Sequence, residues 1–152
     1  MNYIVDANIV FNGILNTNST IADLLINSHS FFSFIAPEFL RKEIRKHYPR
    51  LKSISGFTSR QIQEAEHYVC KQITFASLEQ IPETVWVEAW KLTADVDPKD
   101  VVYIALAKYF HCKLWSGDKQ LARGLAKKGY IDIITTKELF HLRSTLSAKQ
   151  RN

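Results

Sequence analysis

Apolar and polar positions along the chain alternate between short runs with strand character and longer stretches with helical spacing. Tyr3, Ile4 and Val5 drive straight into Asp6, so residues 2–6 read as a strand. Thr20 followed by Asp23 marks a helix start, and IADLLIN supplies apolar residues at helical spacing. FFSFIA, residues 31–36, is a second strand, after which Pro37 suits the first turn of a helix through EFLRKEIRKH. Thr58 with Gln61 three residues on is a capping-box pattern, opening a helix with Ile62, Ala65, Val69 and Ile73 at helical intervals. ITFAS, near residues 73–77, gives a weaker strand. Pro82 begins another helix, with Val85, Ala89 and Leu92 on one face and Trp86 over Trp90 on the next, a pair read as core and not as a base-stacking platform.

The second half is more regular. Asp97-Pro98 starts the helix KDVVYIALAKYF, apolar nearly all round and therefore expected to be buried. CKLWS, residues 112–116, is a strand, followed by the turn Gly117-Asp118 and a helix with Leu121 and Leu125 that ends near Gly129. YIDIIT is the last strand, and Thr135 with Glu138 caps ELFHLRSTL. Strands separated by helices require crossover connections, which predicts an α/β fold: a mainly parallel sheet of four or five strands flanked by helices. Residues 1–146 are expected to form one domain and residues 147–152 a frayed tail.

Composition narrows the setting. The 152 residues are 46% apolar, enough for a core without staples, and the two cysteines, Cys70 and Cys112, form no metal or disulfide pattern. A reducing, cytoplasmic location is the expectation, with no export leader and no segment approaching the ~18–20 apolar residues of a membrane span. Twenty basic residues against fifteen acidic ones give a net charge of +5, which permits a polyanionic partner. Much of the excess lies between Arg41 and Arg60, where Arg41, Lys42, Arg45, Lys46, Arg50, Lys52 and Arg60 surround a single acid, Glu43. That stretch reads equally as a solvated face or a phosphate-binding ridge.

The acids carry the chemistry. Asp6 closes the first strand and Asp118 follows the fourth, so central strands would bring both to one end of the sheet, where ligands of such folds gather. Asp100 lies in the first turn of the buried helix, and Glu43, four residues after Phe39 and three after Leu40, shares the face a helix would turn inward. Crowded carboxylates repel and need compensation, and an oxygen-only set suits Mg²⁺ or Mn²⁺. Such an ion would serve phosphodiester hydrolysis. Each acid also has a purely structural reading: Asp97 caps the helix at Pro98, Asp100 complements the helix dipole, Asp118 is a turn and cap residue, and Glu43 pairs with Lys46 or His47.

IVDANIV, the glutamate of FLRKEI, DPKDVVYIALA and LWSGDKQL occur in the order and approximate spacing of the PIN-domain ribonucleases, the family that includes VapC-type toxins, and the chain resembles them from residue 3 to about 140. The resemblance maps the family's acidic quartet onto Asp6, Glu43, Asp100 and Asp118, with Asp97 accessory. It implies a metal-dependent endoribonuclease, with Asp6 and Asp118 binding a Mg²⁺ or Mn²⁺ ion, Asp100 and Glu43 completing its shell through water or recruiting a second ion, and Asp97 counted with the metal residues as ligand or cap. Asn8 and Ser116 match polar positions that orient ligands or substrate, and Arg41, Lys42, Arg45 and Lys46 would bind RNA phosphates. The toxin members imply, by analogy, a small antitoxin partner and a homodimer, although the section from about Pro49 to Thr84 is long for a compact toxin.

Other classes fit less well. A dehalogenase-like phosphatase wants a second aspartate where Asn8 stands, a phosphoacceptor domain wants an acidic pair, and the five glycines never form a P-loop. His29, His47, His67, His111 and His141 lack ligand spacing. The remaining alternative is a catalytically inactive module of the same fold that binds RNA or a protein.

Overall fold

The computed structural model describes all 152 residues. Its centre is a five-stranded parallel sheet in the order β3-β2-β1-β4-β5, formed by β1 (Asn2–Val5), β2 (Ser33–Pro37), β3 (Ile73–Ala76), β4 (Lys113–Trp115) and β5 (Ile133–Ile134). The α/β parallel architecture expected from the sequence is therefore the one observed. From β1 the chain moves outward through β2 to β3, then returns to the other side of β1 for β4 and β5. The reversal falls between β1 and β4, and beyond the carboxyl ends of strands at such a point open parallel sheets bind ligands.

Strand alternation sends side chains to two cores. Tyr3, Val5, Phe34, Ala36 and Trp115 face one layer, built on α1 (Ala7–Leu15), α2 (Thr20–Asn27), α3 (Leu40–Lys46), α4 (Tyr48–Ser55), α5 (Ser59–Cys70) and Leu139 of α9 (Thr136–Arg151). Ile4, Ile35 and Leu114 face the other, filled by α6 (Glu83–Thr93), α7 (Val101–Tyr109) and α8 (Lys119–Ala126). Five consecutive residues of α7, Tyr103 to Ala107, are buried, as its all-round apolar pattern requires. Both capping boxes, Thr58 with Gln61 and Thr135 with Glu138, are formed. Trp115, fully buried, packs 5.4 Å from Phe34 and donates its indole N–H to the Thr136 hydroxyl at 3.0 Å, tying β4 to α9.

Several boundaries differ from the sequence reading. Residues 7–15 and 48–55, assigned to no element, are helices α1 and α4. Pro37 does not open a helix: it ends β2, and α3 begins only at Leu40. Ile73 belongs to β3, because α5 stops at Cys70. The YIDIIT strand shrinks to Ile133–Ile134, while the expected frayed tail continues α9 to Arg151. Trp90 is 51% exposed and so is not core, whereas Trp86 packs partly buried against the second cluster. No single helix is long and apolar enough to cross a membrane; only α1 and α2 pass as a pair, and they meet at a 105° bend.

One contact between layers of the second half fixes the geometry used below. Gly124, in the middle of α8, lies so close to Val96 that a Cβ on it would meet both γ carbons of Val96 at 2.8 Å. Val96 directly precedes Asp97. Just beyond α8, the Lys128 ammonium donates to the carbonyl oxygens of Lys91 and Leu92 at 3.1 and 3.0 Å and pairs with Asp95. Gly124→Ala should lower stability by about 1–3 kcal/mol through overpacking, although alanine is the better helix former by ~1 kcal/mol. Val96→Ala in the same chain should recover most of that loss. Thermal unfolding of the single and double variants decides this, and an unchanged or higher Tm in Gly124→Ala alone would show that the close packing is not a constraint.

Candidate metal centre

Asp6 sits where β1 becomes α1, and its carboxylate joins several elements. Oδ1 accepts the backbone N–H groups of Asn8 at 2.6 Å and Ile9 at 3.4 Å, capping α1, and Oδ2 accepts the Ser116 hydroxyl at 2.6 Å. Ser116 Oγ in turn accepts the Asp118 N–H at 3.1 Å, linking the turn after β4 to the turn after β1. Asp6 is 6% exposed and has no cationic partner. Burial raises its pKa, and the nearby charge of Asp118 adds to the rise. The hydrogen bonds from Ser116, Asn8 and Ile9 oppose it.

Beside Asp6, three more aspartates meet: one carboxylate oxygen each from Asp97, Asp100 and Asp118 lies within 4.8 Å of the others. Asp97 caps the 3₁₀ turn Pro98–Asp100 by accepting the Lys99 N–H at 3.1 Å, and Asp118 caps α8 by accepting the Leu121 N–H at 3.0 Å. A cap engages one oxygen and leaves the other unengaged, while Asp100 has no hydrogen bond on either oxygen and none of the three is in an ion pair. Burial pushes the Asp100 pKa up to about 7, and the charges of Asp97, Asp6 and Asp118 push in the same direction. The Tyr103 hydroxyl, one helical turn past Asp100, is buried without a well-formed hydrogen bond, and the Ala7 amide is near enough to its oxygen to oppose the rise in its pKa. Burial raises the phenol pKa, helped by the negative charge of Asp6, Asp100 and Glu43.

Glu43 is not one of the three clustered carboxylates, although its charge reaches Tyr103 along with those of Asp6 and Asp100. The inward face of α3 is Leu40 and Ile44, Phe39 is 38% exposed, and Glu43 lies on the flank, its carboxylate 3.5 Å from His47 one turn on. The expected inward face was displaced because Phe39 does not anchor it. Asp97, expected either as a cap or as an accessory acid among the metal ligands, caps the turn and also belongs to the cluster. Asn8 contributes its backbone to Asp6, and its side chain faces a groove along α1 and α4 with Phe11, His47 and Arg50. The sequence reading treated Tyr103 only as part of a buried apolar helix; its position three residues after Asp100 was the available signal.

The basic ridge divides between two surfaces. Arg41 stacks 4.1 Å over the Phe75 ring, and Arg45 lies 3.7 Å from Glu66, which also accepts the Tyr48 hydroxyl. With His67 and Lys71 they line a groove that contains none of the clustered aspartates. Lys42 and Lys46, one turn apart on α3, are exposed and make no ion pair.

The donor set fits a hard divalent cation. It consists of carboxylate oxygens without sulfur or imidazole, several of them unengaged, and no lysine or arginine neutralises the charge. Without a cation, ionising Asp100 opposes folding. Its penalty is absent below the unfolded value near 3.8, grows as pH rises, and is complete above about 7. In EDTA at pH 8, Asp100→Asn should therefore raise stability by about 1–2 kcal/mol after allowance for solvent screening, roughly 2–8 °C in Tm. The gain should vanish below pH 4, and a variant no more stable than wild type at pH 8 would refute the electrostatic account.

A search of curated proteins returns no match. The family profile described as PIN domain matches residues 4–145, nearly the whole chain and every strand except the first two residues of β1. With the parallel sheet and the aspartate cluster at its carboxyl edge, the chain belongs to the PIN domain family.

Proposed function

We propose that the protein is a divalent-metal-dependent endoribonuclease that acts in the cytoplasm and hydrolyses RNA phosphodiester bonds at the aspartate cluster. The observation that carries this reading is the meeting of three aspartates within 4.8 Å, with no cation of the chain to neutralise them, beside the buried Asp6. Crowded carboxylates are relieved either by taking up a proton, as the raised Asp100 pKa allows, or by a cation, and a divalent ion relieves all three at once. Asp97, Asp100 and Asp118 would hold Mg²⁺ or Mn²⁺, with Asp6 beside them. When bound, the ion supplies an activated water and stabilises charge developing on the phosphate.

The chain's own contribution is placement. Ser116 orients Asp6 and the Asp118 backbone together, so the turns after β1 and β4 move as one unit. Glu43, paired with His47 on the flank, would act on the substrate side of the cluster, reaching the metal through water. Lys42 and Lys46 would take RNA phosphates as the strand approaches, with Arg41 and Arg45 extending that surface toward β3. Asn8, in the groove beside Asp6, would contact the nucleotide next to the scissile bond.

Purified protein incubated with a mixed RNA pool should cut in Mg²⁺ or Mn²⁺ and not in EDTA, and Asp118→Asn should lose at least about a hundredfold in rate. Cutting in EDTA would refute the metal mechanism. RNA binding without fragments in any metal would favour an inactive binding module. Lys42→Ala with Lys46→Ala should weaken RNA binding and flatten its salt dependence by a slope of roughly 1 to 1.5; an unchanged slope assigns both lysines to a solvated face. The finer part of the proposal, resting on the likeness of the motifs to the VapC-type sequences, is a toxin that pairs as a homodimer and is restrained by a small antitoxin. On that reading, producing the wild-type chain arrests growth and producing Asp118→Asn does not.

A further inference from the structure

The Tyr103 hydroxyl is a buried polar atom that the fold leaves without a well-formed hydrogen bond, the Ala7 amide being its one polar neighbour on the backbone. The residue is 6% exposed, and every other buried side-chain nitrogen or oxygen in the protein finds a hydrogen bond. Phenylalanine would fill the same space in the second core without the desolvation cost of an unmet hydroxyl. The oxygen therefore calls for a partner that the polypeptide does not supply.

Its surroundings limit what that partner is. Tyr103 lies one turn along α7 from Asp100, beside the Ala7 amide that follows Asp6, and it feels the charge of Asp6, Asp100 and Glu43. A further carboxylate or another anion would be repelled there. A neutral phenol is also a poor direct ligand for a hard cation when carboxylates compete for it. Water polarised by a divalent cation is a strong hydrogen-bond donor and is suited to the lone pairs of the phenol oxygen.

We propose that Tyr103 is a positioning residue whose hydroxyl holds a water molecule in the hydration shell of the divalent cation bound at the aspartate cluster. This rests on the metal-centre reading above. Asp97, Asp100 and Asp118 provide the charge, and Tyr103 fixes from the core side how the hydrated ion sits among them. The inference gives the cluster a buried wall on α7 in addition to its capped turns.

The test is Mn²⁺ binding by calorimetry to the full chain and to Tyr103→Phe, paired with thermal unfolding of both in EDTA. Expected are Mn²⁺ binding about tenfold weaker in the variant, the scale of losing an outer-shell partner, and a metal-free Tm equal to or above wild type. Equal Mn²⁺ affinity in the two proteins overturns the role of Tyr103 and leaves the metal centre standing. A lower metal-free Tm with unchanged affinity also overturns it, because the hydroxyl would then serve a water belonging to the fold. Failure of the wild-type chain to bind Mn²⁺ overturns this proposal and the metal centre together.

Discussion

Repulsion among Asp6, Asp97, Asp100 and Asp118 is the constraint around which the structure is arranged. The charges meet at a partly dry edge, which is why the Asp100 pKa is pushed up to about 7. Like charges separate unless the backbone carrying them is held. Three devices hold it. Asp6, Asp97 and Asp118 each accept backbone N–H groups at the start of their own turn or helix. Ser116 ties the β1 and β4 turns together. The Gly124–Val96 contact and the Lys128 clamp press α8, which Asp118 caps, against the segment leading to Asp97.

These devices work because of where the sheet reverses. With β1 in the middle and β4 beside it, two turns from distant parts of the sequence open side by side, and α7 crosses behind them with Asp100 at its start. The two cores keep this edge rigid from opposite sides: Val5 and Trp115 pack into one, Ile4 and Leu114 into the other. A register slip of one residue would send each of these side chains to the wrong layer. Hydrophobic alternation along strands of four and three residues therefore sets the position of the carboxylates.

Much of this was legible in the sequence, for identifiable reasons. Strands and the buried helix α7 announce themselves by apolar period, and Thr58–Gln61 and Thr135–Glu138 specify helix starts by local chemistry alone. Helix α1 was missed because its cap, Asp6, had been read as the end of a strand and a ligand, when it also opens a helix. Helix α4 carries a single buried residue, Leu51, so its pattern is too polar to show an inward face. Pro37 suits the start of a helix and the end of a strand equally, and pairing with β3 decides between them. Glu43 was placed inward by its distance from Phe39, but tertiary packing left Phe39 exposed, a fact no spacing contains. Asp97 and Asp100 share one short turn, and their meeting with Asp118 is tertiary, beside a Gly124–Val96 contact that no spacing in the sequence announces.

The use of aspartate in a double role explains how a cluster of acids survives in a small domain. A helix needs a side-chain acceptor at its first turn, and that turn also offers a favourable dipole to negative charge, so the carboxylate belongs there on structural grounds. Capping engages one oxygen of Asp97 and one of Asp118 and aims each carboxylate, so that their unengaged oxygens can meet Asp100, whose side chain caps nothing, without a separate scaffold. The capping seen at Asp97 and Asp118 and the metal binding proposed for them would therefore be two uses of one group. Asparagine substitution separates them, because its amide oxygen caps about as well as aspartate while lacking the charge a cation requires. Alanine removes both at once, so loss of activity in an alanine variant would not say which role had been lost.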